Sequence, residues 1–471
     1  MRKTKVICTI GPASENAETL TKMFQAGMNV ARLNFSHGSH EEHQKKIDLI
    51  KQIREEMNLP IAIMLDTKGP EYRIKTFEDK KITLQDGDTF IFTTDDVIGN
   101  QERVSVTYSH LVEELSIGDT IMVNNGLVIF KVKELKGNDA ICEVVAGGVL
   151  SDRKSMNFPN KVMKQEYLSE TDKNDLLFGI RNDVDYVAAS FVSNKNDVQD
   201  LRNFLDANGG QNIDIIAKIE NRSGVDHIEE ICEVADGIMI ARGDLGVEIP
   251  FMELPSTQKY LIDKCRMLGT RVITATEMLE SMIHNPRPTR AEISDVANAV
   301  YDGTSALMLS GETASGKYPV EAVKNMVEIA EYTENSIDYK ARFRTAEFEI
   351  QNNLDAISHS TCSMAIDVKA KCIVVSSISG KTARMVSRFR CPVDIIGTTT
   401  SVKVWRKLNL SWGVTPMMCE EFSSMEVMFY HAFRQAKECF KLTKGDNVVL
   451  TGGQINGKSG NTNVIKVESV H

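Results

Sequence analysis

Eight short, apolar and β-branched runs recur along the first two thirds of the chain, most of them followed by an amphipathic segment. The runs span residues 5–10, 28–33, 61–65, 185–189, 213–219, 237–241, 271–275 and 305–309. Helix-like segments between them include residues 17–26, 40–56, 196–205 and 251–268. Strands that are apolar on both faces belong in a parallel sheet covered by helices. Because eight βα units close a barrel of typically ~250 residues, we predict a (β/α)8 TIM barrel.

One connection of the predicted barrel has a different pattern. Between the third and fourth runs the sequence shows alternating strands and turns, namely ITLQDGDTFIF, SIGDTIMVNNGLVIFKV and DAICEVVAGG. Asp-Gly and Asn-Gly pairs between such runs are typical of β-hairpins. We therefore predict an inserted all-β domain at residues 70–166, placed where it can act as a lid.

A charged stretch, DYKARFRTAEFE, indicates a second boundary near residue 340. Beyond it the strand-like runs KCIVVSSIS, PVDIIGTT, WGVTPM, DNVVLTGG and NVIKVE alternate with helical segments at first. We assign residues 1–69 and 167–340 to the barrel and residues 341–471 to a C-terminal open-sheet α/β domain. Three domains agree with a chain of 471 residues.

Composition excludes several classes of protein. Lys+Arg 55 against Asp+Glu 65 gives a net charge of −10, which disfavours nucleic acids and anionic membranes as partners. Nine scattered cysteines without a CxxC pair predict reduced thiols and a cytoplasmic protein. The N-terminal apolar run is too short for a signal peptide, and no apolar run approaches the ~20 residues that span a bilayer.

Polar and charged side chains follow six of the predicted strands, at the barrel end where such folds place their chemistry. After the second strand stand Arg32, Asn34, Ser36 and His37, and after the third Asp66, Thr67, Glu71 and Arg73. The fifth strand ends in AKIEN, the sixth in ARGDLG, the seventh in TATEM and the eighth in SGET. We therefore expect one rim of the barrel to carry the active site.

Lys218 and Glu220 are two residues apart on a strand and point to the same side. Asp244 follows the next strand in a glycine-flanked turn and is placed to meet Glu220. Two carboxylates together with substrate oxygens are a usual arrangement for Mg²⁺. The alternatives are a structural ion pair for Lys218 and Glu220, and a turn-capping role for Asp244.

The group after the second and third strands has a mixed character. Arg32 offers a guanidinium fork suited to phosphate. Asn34, Ser36, Asp66 and Thr67 provide oxygen donors with a single carboxylate, which suits a weakly hydrated monovalent cation. An ordinary loop hydrogen-bond network is the alternative, and His37 has the alternative of a plain surface histidine.

Two glycine-rich turns in the C-terminal domain resemble anion sites. GGQINGKS at 452–459 fits the P-loop pattern, but a turn and a strand follow it instead of the helix that the motif requires. We therefore reject a nucleotide-hydrolase domain, although Lys458 leaves an anion contact open. KCIVVSSISGKTARMVSRF runs from strand through turn to helix, and Thr382 is a candidate helix cap there.

The chain closely resembles the pyruvate kinase family. The resemblance runs from Lys3 through the C-terminal domain and includes TIGPAS, ARLNFSHG, LDTKGPE, IIAKIENRSGV, ARGDLGVE, NPRPTRAEISDVANAV and MLSGETASGKYP. It implies a barrel with a β-rich lid and an effector domain, and phosphoryl transfer from phosphoenolpyruvate to ADP, giving pyruvate and ATP in glycolysis. It also implies Mg²⁺ or Mn²⁺ and K⁺ as cofactors, a homotetramer and a sugar-phosphate effector.

The resemblance also implies roles for individual residues. Lys218 is similar to the lysine that steadies the transferred phosphoryl group, and Glu220 and Asp244 to the Mg²⁺ carboxylates. Arg32, Gly243 and Thr276 match substrate contacts, with Thr276 on the path that protonates the enolate.

The remaining implied roles concern cations, nucleotide and effector. The implied K⁺ ligands are Asn34, Ser36, Asp66 and Thr67. Glu71 matches the acidic residue of K⁺-dependent members. The implied nucleotide contacts are Asn34, His37, Arg73 and Lys154. The implied effector contacts are Ser377, Ser379, Gly380, Lys381 and Thr382.

The sequence departs from the family pattern at a few positions. Glu277 stands where glutamine is common, Tyr72 where an aliphatic residue is usual, and Ile378 where some regulated members carry a polar or basic residue. We expect the protein to be of the type without the extra phosphohistidine-like domain of some bacterial members. A metal-dependent barrel lyase acting on pyruvate and a catalytically silent effector-binding protein are the alternative functions.

Overall fold

The chain begins with βα units whose helices start at side-chain caps. The computed structural model describes residues 1–159, 161, 163–164, 166–453 and 462–471. Its first elements are β1 (Lys5–Thr9), α1 (Ala17–Gln25), β2 (Val30–Asn34), α2 (His40–Glu56) and β3 (Ala62–Asp66). In α2 the Ser39 side chain and Glu42 form a capping box, which fixes where the helix begins.

The next segment forms a separate β-rich lid with its own apolar core. Its elements are β4 (Tyr72–Arg73), β5 (Lys81–Leu84), β6 (Thr89–Thr93), β7 (Arg103–Ser105), α3 (Leu111–Glu114), β8 (Thr120–Val123), β9 (Val128–Lys136), β10 (Asp139–Ala146), β11 (Gly148–Ser151) and β12 (Ser155–Asn157). A seven-stranded sheet has the order β4-β12-β8-β9-β10-β6-β7, and β11 pairs with β5. The short helix α3 is the one element among the described lid residues that an all-β prediction omits.

The barrel continues after the lid. Its elements are α4 (Glu170–Arg181), β13 (Tyr186–Ala189), α5 (Lys195–Ala207), β14 (Asp214–Ile219), α6 (Arg222–Asp226), α7 (Ile228–Val234), β15 (Gly237–Ala241), α8 (Arg242–Glu248), α9 (Leu254–Leu268), β16 (Arg271–Ala275), α10 (Arg290–Asp302), β17 (Ala306–Leu309), α11 (Gly311–Ala314) and α12 (Pro319–Ser336). Short 3₁₀ helices cover Phe251–Glu253 and Glu280–Ile283.

Eight parallel strands close into a barrel in the order β1-β17-β16-β15-β14-β13-β3-β2. The predicted (β/α)8 barrel is confirmed, and the strand limits agree with prediction within about two residues. Alternate strand residues fill two separate cores, because successive side chains of a strand point to opposite faces. Val6 and Cys8 pack under the helices, whereas Ile7 packs in the barrel interior.

The C-terminal part contains an open five-stranded sheet of order β20-β19-β18-β21-β22, as predicted. Its elements are α13 (Tyr339–Thr345), α14 (Asn353–Asp367), β18 (Cys372–Ser376), α15 (Lys381–Arg388), β19 (Asp394–Thr399), α16 (Val402–Leu408), β20 (Val414–Met418), α17 (Met425–Phe440), β21 (Asn447–Gly453) and β22 (Thr462–Ser469). Only β22 runs antiparallel to its neighbour in this sheet.

This C-terminal part closes the barrel at the end opposite to the predicted active site. Leu410 belongs to the cluster inside the barrel, and the Tyr186 hydroxyl donates to the Lys407 carbonyl at 2.5 Å. Lys407 and Arg271 both pair with Asp214. None of the described helices has the length and apolar character needed to cross a membrane.

We predict that Gly69→Ala destabilises the barrel. Gly69 has a φ of +73°, and a Cβ would lie 2.7 Å from the Ser190 Cβ. The loss of unfolding free energy should be about 1–3 kcal/mol, measured as a lower thermal midpoint in calorimetry. Gly87→Ala is the matched control, because its φ is +87° but nothing lies within 4 Å of the added Cβ. Equal losses in the two variants would contradict a role for the close approach to Ser190.

Candidate active site

The carboxylate of Asp66, at the end of β3, joins the two predicted cationic residues. Its Oδ2 accepts a hydrogen bond from Nε of Arg32 at 2.6 Å, and its Oδ1 accepts one from Nζ of Lys218 at 3.1 Å. All three residues are buried. The Arg32 guanidinium also donates to the Thr9 hydroxyl at 2.9 Å. The predicted convergence of the ammonium and the guanidinium on one rim is therefore present, with Asp66 between them.

Ser190 completes this group and was missed in the sequence analysis. Its hydroxyl lies 2.7 Å from Nζ of Lys218 and donates to the Thr67 carbonyl at 2.7 Å. Ser190 stands two residues after Ala188, which packs in the barrel interior. The same spacing relates Met64 to Asp66 and Ile216 to Lys218. Because side chains of a strand alternate between its faces, Ser190 is the position on its strand that corresponds to Asp66 and Lys218.

Glu220 has one carboxylate oxygen that forms an ion pair but no hydrogen bond. Its Oε2 accepts from the backbone N–H of Phe191 at 2.7 Å. Its Oε1 is 2.9 Å from Nζ of Lys218, yet the angles are not those of a hydrogen bond, and this buried atom has no other partner. A buried carboxylate oxygen that accepts no hydrogen bond fits a ligand for a bound cation.

Neighbouring charges set the protonation states of these buried groups. Burial alone raises the pKa of Asp66, but Arg32 and Lys218 more than offset it and hold the pKa below its usual range. Burial lowers the pKa of Lys218, but Asp66 and Glu220 outweigh it and raise the pKa above its ordinary value. Lys218 is therefore a cation and Asp66 an anion at neutral pH.

Glu220 behaves differently from Asp66. Burial raises the pKa of Glu220, and the charge of Asp244 raises it further, although Lys218 lowers it. An added cation between the carboxylates of Glu220 and Asp244 would remove this repulsion. In the described part of the chain no cluster of three or more His, Cys, Asp or Glu side chains is arranged to hold a metal. The interacting carboxylates of Glu220 and Asp244 are the arrangement expected for Mg²⁺ shared with substrate oxygens.

Helix α8 presents Gly243 and Asp244 beside Thr276. Asp244 lies in the first turn of α8 and is exposed, and Ala241 at the helix cap makes no side-chain capping bond. Asp244 therefore does not occupy the N-cap position of α8. The backbone N–H of Gly243 donates to the Thr276 hydroxyl at 2.8 Å, which joins α8 to the end of β16.

The predicted K⁺ ligands lie on adjacent strand ends. Asn34 and Asp66 are paired residues of β2 and β3. The backbone N–H of Ser36 donates to Oδ1 of Asn34 at 3.1 Å. Thr67 donates its hydroxyl to the Ala188 carbonyl at 3.3 Å and accepts from the Ser190 N–H at 3.2 Å. Asn34 and Thr67 thus form hydrogen bonds with nearby backbone groups, as expected if these residues form an ordinary loop hydrogen-bond network.

The predicted nucleotide contacts are divided between two surfaces. Arg73 and Lys154 line a cleft of about 730 Å³ between lid and barrel, together with Asp244. Asn34 is the last residue of β2 and His37 lies on the loop after it, and neither is part of that lining. Arg73 pairs with Glu71 and donates to the Arg153 carbonyl at 2.5 Å, so its guanidinium is held in place.

Glu248 links the barrel to the lid and was also missed from the sequence. Its Oε1 accepts from Nδ2 of Asn157, in the last lid strand, at 2.8 Å. Burial raises the pKa of Glu248 to about 7.

Tyr72, one of the departures from the family pattern, packs edge-on against Tyr108 and Phe158 at the base of the lid.

The turn predicted to bind an effector precedes α15, but its helix cap differs from the prediction. Gly380, with a φ of 74°, occupies the cap position. Thr382 does not cap the helix, because its hydroxyl lies 2.6 Å from the Thr462 hydroxyl. The Lys381 N–H donates to the Ser379 hydroxyl at 3.5 Å, and the Ser377 N–H donates to the Thr398 carbonyl at 3.0 Å.

Glu277 and Lys458 are two further positions that the sequence brought to notice. Glu277 is exposed at the turn after Thr276. Residues 454–461, including Lys458, lie outside the described residues. On either side of them, β21 and β22 form an antiparallel pair. The first element described after the P-loop-like motif is thus strand β22, which agrees with the rejection of a P-loop.

Comparisons with known proteins cover nearly the whole chain. The family model "Pyruvate kinase, barrel domain" matches residues 1–323, and "Pyruvate kinase, alpha/beta domain" matches residues 355–468. The chain is 46% identical over 472 residues to the pyruvate kinase of Clostridium acetobutylicum, with all of both chains covered. It is 45% identical over 472 residues to that of Geobacillus stearothermophilus, covering 100% of this chain and 80% of the relative.

A solved structure gives the same result. The crystal structure of a pyruvate kinase from Cryptosporidium parvum superimposes with a TM-score of 0.94 at 39% identity, covering 99% of this chain and 96% of that chain. These similarities leave no support for the lyase or for the silent effector-binding protein. The chain belongs to the pyruvate kinase family.

Proposed function

We propose that this chain transfers a phosphoryl group from phosphoenolpyruvate to ADP, giving pyruvate and ATP in glycolysis. The observation that carries this proposal is the buried group of Arg32, Asp66 and Lys218. The transition state of phosphoryl transfer spreads negative charge over its equatorial oxygens, so catalysis depends on positioned positive charge. Asp66 holds both cations in place before substrate arrives, so little reorganisation is required during the reaction.

Glu220 and Asp244 are the residues that would hold Mg²⁺ or Mn²⁺. The buried Oε1 of Glu220, which accepts no hydrogen bond, and the mutual repulsion of the two carboxylates support this assignment. A bound divalent ion would supply charge neutralisation of phosphoryl oxygens. Lys218 lies beside Glu220 and would contact the transferred phosphoryl group.

Asn34, Ser36, Asp66 and Thr67 are the proposed K⁺ ligands. Asp66 already accepts from Arg32 and Lys218, but a carboxylate has about four lone-pair positions and retains capacity for a cation. The pairing of Asn34 with Asp66 on adjacent strands supports a shared ligand set. Glu71, which pairs with Arg73, is the position that we associate with K⁺ dependence.

Thr276 is the proposed residue for protonation of the enolate. Phosphoryl transfer leaves the enolate of pyruvate, whose C3 must gain a proton to become a methyl group. We infer that the Thr276 hydroxyl gives its proton to C3 and regains one from water. The hydrogen bond that it accepts from the Gly243 N–H supports this role, because Gly243 is a substrate contact that we propose in α8.

We assign ADP to the cleft between lid and barrel. Arg73 and Lys154 provide positive charge there. Asn34 and His37, which do not line the cleft, are assigned to the nucleotide from family resemblance alone. The hydrogen bond between Glu248 and Asn157 connects the lid to α8, which carries Asp244. Closure of the lid would exclude water from the phosphoryl group.

The remaining parts of the proposal concern regulation, assembly and location. A sugar phosphate is the proposed effector at Ser377, Ser379, Gly380, Lys381 and Thr382. Lys381 is exposed there, which supports access for a phosphate. A homotetramer is proposed from family membership alone. The nine cysteines are free thiols, which suits the cytoplasmic location that we propose.

Lys218→Met should abolish pyruvate formation. The variant removes the buried ammonium that neutralises the transferred group, so turnover should fall by at least about 10²-fold. The measurement is pyruvate release from phosphoenolpyruvate and ADP at saturating Mg²⁺ and K⁺. Lys264→Met is the control, because Lys264 is a surface lysine paired with Glu229. Turnover at the wild-type rate in Lys218→Met would remove Lys218 from the mechanism.

Replacing K⁺ by Na⁺ should lower turnover by about tenfold or more, because Na⁺ is the smaller and more strongly hydrated ion. In Glu71→Lys a permanent ammonium takes over part of the cation's charge, so the loss in Na⁺ should be much smaller. The ratio of kcat in K⁺ to kcat in Na⁺ measures both effects. An unchanged ratio in the variant would contradict the association of Glu71 with K⁺.

Glu248→Gln should change how stability depends on pH. Because burial raises the pKa of Glu248 from 4.5 to about 7, the stability that this group contributes is present below pH 4.5 and lost as pH rises through 7. The thermal midpoint of Glu248→Gln relative to wild type should therefore rise between pH 5 and pH 8. A difference between the two midpoints that stays constant over this range would show that Glu248 does not titrate there.

A further inference from the structure

Two consecutive residues after β16 adopt left-handed backbone conformations. The φ angle is 70° for Thr276 and 54° for Glu277. Side chains with a Cβ disfavour this region, and such residues keep it only when surrounding contacts enforce it. A specific restraint must therefore act on this turn, which carries the hydroxyl that we assign to proton transfer.

The guanidinium of Arg242 provides this restraint. Its Nη2 donates to the Thr276 carbonyl at 2.5 Å, and its Nε donates to the same carbonyl at 3.2 Å and to that of Ala275 at 3.3 Å. Arg242 is 8% exposed, so water competes little for these carbonyls. The rigid, planar fork of arginine holds adjacent acceptors at a fixed spacing.

Two helices in turn hold Arg242. Its Nη1 donates to both carboxylate oxygens of Asp295, in α10, at 2.8 and 2.7 Å. The same nitrogen lies 3.3 Å from Oε1 of Gln258, in α9. The guanidinium therefore cannot turn away from Thr276 without breaking its ion pair with Asp295.

The Thr276 hydroxyl is fixed from the opposite side. It accepts from the Gly243 N–H at 2.8 Å and donates to the Ala275 carbonyl at 2.6 Å. Gly243 is the residue after Arg242, so one short segment holds Thr276 by both its carbonyl and its hydroxyl. The direction of the hydroxyl thus depends on the position of Arg242.

We propose that Arg242, oriented by Asp295, is a positioning residue that fixes the place of the Thr276 hydroxyl oxygen, from which the O–H turns from the Ala275 carbonyl to the carbon to be protonated. Arg242 acts through Thr276 and does not contact the reacting atoms. This inference rests on the proposed role of Thr276. In that step the hydroxyl proton forms the new C–H bond with the electron pair of the enolate double bond. The enolate oxygen becomes the ketone carbonyl, and water returns a proton to Thr276.

The test separates proton transfer from phosphoryl transfer. By microscopic reversibility, the group that protonates the enolate also removes a methyl proton from bound pyruvate. Exchange of pyruvate methyl protons in D2O, followed by NMR with Mg²⁺, K⁺ and inorganic phosphate present, measures this step. Arg242→Lys retains the positive charge and loses the fork. Exchange and kcat should both fall by about 10–100-fold, with KM for phosphoenolpyruvate within about twofold of wild type.

Non-additivity distinguishes positioning from a general structural effect. Thr276→Ala removes the hydroxyl, so Arg242→Lys combined with Thr276→Ala should exchange no more slowly than Thr276→Ala alone. Arg344→Lys, at an exposed arginine paired with Asp367, is the control and should exchange at the wild-type rate. If Arg242→Lys does not fold, Asp295→Asn replaces it, with an expected loss of about threefold to tenfold and the same non-additivity.

The outcomes separate the two levels of the proposal. If Thr276→Ala exchanges at the wild-type rate, both the role of Thr276 and the positioning role of Arg242 are overturned. If Thr276→Ala is slow while Arg242→Lys and Asp295→Asn exchange at the wild-type rate, only the inference about Arg242 fails. It also fails if the losses multiply in the double variant, because Arg242 then acts independently of Thr276.

Discussion

The carboxylate of Asp66 is the interaction on which the candidate site depends. Arg32 and Lys218 are two buried cations on different strands, and without an anion between them their repulsion and desolvation would be costly. Asp66 accepts a hydrogen bond from each, and its negative charge raises the pKa of Lys218. Two positive groups are therefore already in place in a buried pocket before a substrate with several negative charges binds. The hydrogen bonds that stabilise the barrel rim are the same ones that position these groups for phosphoryl transfer.

The barrel makes this arrangement through strand periodicity. Interior residues of the strands, such as Met64 and Ile216, build an apolar core. Two positions further along the same strands the interior face carries Asp66 and Lys218, because the side-chain period of a strand is two. The polar cluster is therefore supported from below by close packing. On the outer side, the hydrogen bond between Glu248 and Asn157 joins α8 to the lid. Because α8 also carries Asp244, this bond connects the lid to the proposed metal site.

Much of the fold and part of the site were predictable from the sequence. Apolar periodicity identified the eight strands, the hairpin insertion and the second sheet, because such patterns are local. Long, charged motifs identified the residues at the rim. Ser190, Arg242 and Glu248 were missed, since each acts through partners distant in sequence. The capping prediction for Thr382 was wrong because Gly380 takes the cap and a residue 80 positions away engages the Thr382 hydroxyl.

By itself the sequence determined the order of elements, the identity of the charged groups and the strand ends on which they stand. Only the tertiary structure decided which carboxylate each cation faces, because closing the barrel brings β2, β3 and β14 together from separate parts of the chain. It also decided protonation, since burial and neighbouring charge raise the pKa of Glu220 and lower that of Asp66 although both are carboxyl groups. Electrostatic free energy depends on distance and desolvation, which exist only once the chain is folded.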